Sequence, residues 1–183
     1  SEQNLILNCV VDSVDRWWFG WHIGSGPTCQ WSGGYYPGLM PDHGISRAWL
    51  KLDEAIARFG IQFHSGERVC ELGAAPGGAC QRLLEANLTV VGVDPATMNP
   101  QLVKHEHFTH WKKRARDIRI REFADFDWIL TDMNIDPANT IASLERILSL
   151  ITSSLGRRIT YSVLKFLISF QKLLYHLFES SLP

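Results

Sequence analysis

The sequence predicts an α/β domain, a mostly parallel sheet with helices on both faces, preceded by a small strand-and-loop region. Three observations carry that reading. Strand-like and helix-like runs alternate from residue 46 onward, the pattern of parallel strands joined by crossover helices. The stretch CELGAAPGGAC, residues 70–80, strips away nearly every side chain where a strand should turn into a helix. Between Gly24 and Gly44 lie six glycines and three prolines, a composition that resists helix and strand and reads as a long loop.

The bulk numbers agree. At 183 residues, with 45% hydrophobic and 20% charged residues and a formal net charge of -1, the chain has the size and composition of one globular domain. Near-neutral charge means that any polyanion must be met by a local basic face. Cys9, Cys29, Cys70 and Cys80 share no CxxC spacing, so neither a zinc site nor a disulfide framework is indicated. No apolar run is long enough for a membrane span, and the first residues lack a signal-peptide layout; a cytoplasmic protein is expected. The start at SEQNLIL and the stop after Leu182 and Pro183 suggest a piece of a longer protein.

The elements follow in order. NCVVDSVDRWWFGWHI, residues 8–23, holds two β-branched or aromatic runs around Asp12 and Ser13, a predicted hairpin with its turn there. SRAWLKLDEAIARFG, 46–60, has Ser46 as N-cap, apolar Trp49, Leu50, Ile56 and Phe59, and Gly60 as a stop, so an amphipathic helix is predicted. RVCELG, TVVGVD, HFTHW, DFDWILTDM and RRITYSVLK read as strands. GGACQRLLEAN, PANTIASLERILSLITSSL and FLISFQKLLYHLFES read as helices. Two regions result: 1–45, strands and loop, and 46–183, the α/β domain, which lacks the last strands of a usual sheet of this kind and is expected to leave an edge exposed.

In such a sheet, ligands lie beyond the carboxyl ends of the strands. Gly73, Gly77 and Gly78, with Ala74, Ala75 and Pro76 between them, let the backbone bend and approach a ligand, which is taken to be why side chains are missing. The spacing is GxxxGG and not GxGxxG, and no GK[ST] follows, so neither the nicotinamide nor the Walker fingerprint is met. Asp94 ends VVGVD, where a carboxylate accepts from ribose hydroxyls in an NAD or an S-adenosylmethionine site; capping the turn before Pro95 is the alternative. Asp117, after HFTHWKKRAR, is a candidate acceptor for an adenine amino group, or else a solvated charge among its basic neighbours.

GAAPGG, preceded by SRAWLKLDEA and followed by LTDM and VLK, resembles the FtsJ-type ribosomal RNA 2'-O-ribose methyltransferases. The layout, with DRWWFGWHIGS and DMNIDPA, is most similar to the large-subunit ribosomal RNA methyltransferase M branch. The resemblance runs over about residues 15–175. It implies a Rossmann-like S-adenosylmethionine domain with a catalytic lysine-aspartate-lysine set: Lys51, Asp132 and Lys165 here, with Asp132 also beside the cofactor. The glutamate that completes the set in the family lies on a strand beyond the final helix, where this chain has already ended; Glu179 is on the wrong element to replace it.

The chemistry supports those roles. A ribose hydroxyl is a poor nucleophile near neutral pH unless a base removes its proton as the methyl bond forms. Lys165, at the end of a strand, is the candidate base; Lys51 is the neighbouring cation that favours its neutral amine, and Asp132 orients them. For RNA, the candidate surfaces are the basic stretch 104–121 and the set Arg47, Trp17, Trp18, Trp21, Trp31, Tyr35 and Tyr36. The rival readings are a catalytically impaired RNA-binding relative that keeps the cofactor pocket, a nicotinamide-dependent oxidoreductase, and a small-molecule methyltransferase.

Overall fold

The computed structural model describes residues 4–131. The β-branched and aromatic residues of the amino end pair as an antiparallel ribbon, β1 (Leu5–Ser13) and β2 (Arg16–Ile23). The turn is Val14–Asp15, not Asp12–Ser13. Pairing decides this: Val11 faces Trp17 and Ser13 faces Arg16, with an irregularity between them. The Trp17 indole also donates to the Val14 carbonyl at 3.0 Å, and Arg16 pairs with Asp12 at 3.3 Å. Alternation places Leu5, Leu7, Cys9, Val11, Trp17, Phe19, Trp21 and Ile23 on one uncharged face. All eight are exposed.

The Gly/Pro-rich segment is held down by its aromatic and polar side chains. Trp31 and Tyr36 meet edge-on at 5.1 Å, and Arg58 lies over the Trp31 ring at 4.7 Å. The Tyr36 hydroxyl donates to Asp53, which also receives Arg82 Nε at 2.7 Å. The aromatic set expected as one surface is therefore divided: Trp17 and Trp21 share the ribbon's apolar face, Trp18 takes the opposite face, and Trp31 and Tyr36 pack inward.

The predicted helix is α1 (Ala48–Phe59), closed by Gly60 in the left-handed conformation. Its buried face differs from expectation: Leu52 and Ala55 are buried, while Phe59 is 52% exposed. The 3.6-residue period is satisfied by Ala48, Leu52 and Ile56, packed into the core, and by the buried Ala55. Trp49 is instead fixed from the side by Glu85, which accepts its indole N–H at 2.8 Å. Ser46 sits one residue before the helix's capping residue, Arg47, and its carbonyl accepts from Trp49 N at 3.0 Å.

The sheet contains β3 (Arg68–Leu72), β4 (Thr89–Val93), β5 (Phe108–Trp111) and β6 (Trp128–Thr131), in the spatial order β5-β4-β3-β6, every pair parallel. Helices α1, α2 (Gly78–Glu85) and α3 (Pro100–Val103) cover one face. There Val69, Val90 and Leu130 meet Leu52, Leu83 and Leu102. On the other face Cys70, Leu72, Val91 and Ile129 meet Ile118, Phe123 and Phe126 from two 3-10 turns after β5. The later strand and helices, and the expected exposed edge, fall on residues outside those described. Among the described residues no helix is long and apolar enough to cross a membrane.

Candidate cofactor site

Strand order decides where a ligand can enter. After β3 the chain adds β4 and β5 on one side, then returns to lay β6 on the other. The order reverses between β3 and β6, and crevices in parallel α/β sheets open beyond the strand ends at such a point. Leu72 and Thr131, paired across these strands, mark it. The Thr131 hydroxyl is buried there and has no hydrogen-bond partner among the described residues.

The glycine loop leaves β3 at this edge. Gly73, with φ of 80°, turns the chain. The N–H groups of Gly73 and Ala74 both donate to Val93 O, at 2.9 and 3.3 Å, and Ala75 N donates to Asp94 Oδ2 at 3.1 Å. Asp94 Oδ1 accepts from Ala96 N at 2.7 Å, and the Pro76 carbonyl accepts from Asn99 N at 3.0 Å. The loop is thus strapped to the end of β4, and Asp94 is both its tether and a carboxylate at the ligand edge. The peptide between Ala75 and Pro76 is cis.

Two of the three glycines are needed for a different reason from the one the sequence suggests. A Cβ on Gly77, where φ is 114°, would lie 2.0 Å from Leu102 Cδ1 and 3.1 Å from Met98 Cε; a Cβ on Gly78 would lie 2.7 Å from Ser46 O and 3.0 Å from Trp49 N. Protein atoms, not a ligand, fill the space those side chains would take. Gly78 lets the start of α1 touch the start of α2, and this contact sets the position of Lys51, three residues on from Ala48, the first residue of α1.

Lys51 is exposed on the first turns of α1. Asp117 closes a 3-10 turn beyond β5, exposed, with Arg116 Nε 3.9 Å from its carboxylate. Asp132 and Lys165 lie outside the described residues, as does Glu179, so Lys51 is the one member of the expected catalytic set with a described place. Sequence reasoning passed over Glu71, which is buried in β3 and accepts from the Cys80 thiol at 2.7 Å. Burial, and then the Glu71 charge, push that thiol well above its ordinary range. The signal was present: an acid in the middle of an otherwise apolar strand run. Among the described residues no group of His, Cys, Asp and Glu could hold a metal ion. An open depression lined by Asp42, His43, Ile45, Asn99 and Gln101 adjoins the loop, where Asn99 N donates to the Pro76 carbonyl.

Comparison with known proteins agrees with this architecture. The family model described as FtsJ-like methyltransferase matches residues 45–173. A ribosomal RNA large subunit methyltransferase M from Halorhodospira halophila is 35% identical over 124 residues, covering 66% of this chain and 36% of the relative. One of the same name from Edwardsiella ictaluri is 33% identical over 122 residues, covering 61% and 32%. The chain thus spans about a third of the length of these relatives. A solved structure described as a candidate hemolysin from Lactococcus lactis aligns at 15% identity over 63% of this chain and 77% of that one, with a TM-score of 0.47, too distant to carry an argument. With the match extending over most of its length, and the glycine loop and parallel sheet inside it, this chain belongs to the FtsJ-like methyltransferase family.

Proposed function

We propose that the chain transfers a methyl group from S-adenosylmethionine to a ribose 2'-hydroxyl of RNA, ribosomal RNA being the substrate class, and that it does so in the cytoplasm. The observation that carries the cofactor is the state of the loop's amides. A dinucleotide needs free backbone N–H groups and an open helix start for its pyrophosphate. Here the Gly73, Ala74 and Ala75 amides are already donated inside the protein, and protein atoms crowd Gly77 and Gly78. The stretch 70–80 contains no Lys or Arg. Such a loop suits a cofactor without phosphates, and Asp94, with lone pairs left on both oxygens, suits ribose hydroxyls. When bound, S-adenosylmethionine supplies an electrophilic methyl on a sulfonium.

The chain's own residues do the rest. Lys165 takes the proton from the 2'-hydroxyl as it attacks. Lys51, a second cation, lowers the affinity of the base for its own proton, and Asp132 holds the two amines and the hydroxyl in line. The names of the relatives support ribosomal RNA as the substrate. The test is transfer of labelled methyl to ribosomal RNA, followed by nucleoside mass analysis. Lys165→Ala should lower the rate by about 100 to 10,000-fold while cofactor binding measured by calorimetry persists. A label recovered on a nucleobase would overturn the ribose assignment, and tighter binding of NAD than of S-adenosylmethionine would overturn the cofactor.

A further inference from the structure

The stretch after β5 holds an excess of positive charge that cofactor binding does not explain. Residues 112–122 carry six basic side chains against two acidic ones, in a chain whose formal net charge is -1. Their place is set by β5: the Trp111 carbonyl accepts from both Asp94 N at 3.2 Å and Lys113 N at 2.8 Å. The basic segment therefore starts at the carboxyl edge of the sheet, beside the residue that tethers the glycine loop.

Its base is fixed and its remaining charges face solvent. Lys113 lies over the Trp111 ring at 4.4 Å and pairs with Glu122 at 3.4 Å, and Arg119 pairs with the same carboxylate at 3.3 Å. The other acid, Asp117, is 3.9 Å from Arg116. Lys112, Arg114 and Arg121 are exposed and make no ion pair among the described residues. On the far side, Ile118 and Phe123 are buried against the sheet and anchor the segment there. The packed base sets where the backbone of these cations lies at the sheet edge, while their side chains reach into solvent.

Their partner is a polyanion. The proposed cofactor has no phosphate, and its single carboxylate is set against a sulfonium and an ammonium, so it offers one anionic group where residues 112–122 hold six basic side chains. We propose that residues 112–121 form a phosphate-binding rim, in which Lys112, Arg114 and Arg121 hold the backbone of a single-stranded RNA segment beside the cofactor crevice. This rests on the RNA-methyltransferase reading and adds to it the surface that positions the strand.

The test is a salt titration of the whole chain with a fluorescein-labelled single-stranded oligoribonucleotide of mixed sequence, read by anisotropy. For single strands, each lost phosphate contact flattens the plot of log affinity against log salt by roughly 0.7. A Lys112→Ala/Arg114→Ala/Arg121→Ala variant should therefore lose about 2 from the slope, with weaker binding at low salt. Lys104→Ala, at the end of the stretch 104–121 that the structure places before β5 rather than beyond its carboxyl end, lies outside the rim and should keep the wild-type slope. Unchanged S-adenosylmethionine binding in both variants checks the fold. The rim is overturned if the triple variant keeps the full slope, if Lys104→Ala flattens it as much per charge, or if the wild-type chain does not bind the RNA. A reduced slope in the triple variant, together with no methyl transfer to ribose by the wild-type chain, would keep the rim and sink the catalytic reading instead.

Discussion

Replacing Gly78 by alanine separates two explanations of the glycine loop. If the missing side chain clears a path for ligand, the methyl group should weaken cofactor binding and leave stability alone. The structure gives the opposite expectation. The new Cβ would sit 2.7 Å from the Ser46 carbonyl oxygen and 3.0 Å from Trp49 N, both backbone atoms that no rotamer change can move. Ordinary contact begins near 3.4 Å, so the starts of α1 and α2 must part by roughly 0.7 Å. Overpacking of this kind costs about 1–3 kcal/mol, offset by up to about 1 kcal/mol from alanine's better helix propensity. A net loss of about 1–2 kcal/mol should lower the urea midpoint by roughly 0.5–1 M at a slope of about 2 kcal/mol/M. Because α1 carries Lys51, methyl transfer should fall as well. Gly60→Ala is the control, since its Cβ would meet nothing within 4 Å and only the left-handed backbone, at about 1 kcal/mol, opposes it. An unchanged midpoint for Gly78→Ala with weakened cofactor binding would refute the helix-contact account.

Further predictions concern titration and thiol chemistry. Burial pushes the Glu67 carboxyl up, but hydrogen bonds from His64 N at 2.9 Å and the Trp128 indole at 2.7 Å outweigh it and hold the group below the usual carboxylate range. A depressed acid stabilises the fold above its unfolded value near about 4.3 and loses that contribution as pH falls through the folded value. Urea midpoints should therefore drop more steeply with acid for wild type than for Glu67→Gln, and parallel curves would defeat the assignment. Burial, helped by Asp53, pushes Tyr36 up to about 12. Its contribution is intact below the ordinary tyrosine value near about 10 and fades as pH rises toward the folded one. Tyr36→Phe should remove an absorbance step near the upper value; loss of a step at the lower one would contradict the Asp53 contact. Burial pushes the Cys70 thiol up to about 12 and holds the Cys80 thiol well above its ordinary range, whereas Cys9 is exposed and Cys29 is lowered by the Ser25 N–H it accepts. Dithionitrobenzoate should label Cys9 and Cys29 in the native chain and reach the other two only on unfolding; rapid labelling of Cys80 would show that the Glu71 pocket opens.

Much of the site was legible because it is local. Gly73 needs a left-handed turn directly after a strand, and Gly60 stops a helix; both are written in neighbouring residues. Asp94 was marked by its place at the end of an apolar strand, and the turn cap before Pro95 that was its alternative role is the bond from Ala96 N; the long-range bond from Ala75 N was not foreseen. The hairpin was visible but its turn was not, since register is decided by the summed cross-strand pairs rather than by the most turn-prone dipeptide.

Short-range pattern alone carries the alternation of strands and helices, the position of the glycine loop between β3 and α2, and the family resemblance. That β6 lies beside β3, so that the crevice opens at that reversal, is visible only once the strands are assembled. Tertiary packing also decides that Gly78 is small for the sake of Ser46 and Trp49, and Gly77 for Leu102. The physical reason is the same in each case. Periodicity tells a residue which face to bury, but its packing partner comes from a distant segment that arrives only when the crossovers close, and two atoms cannot share the space.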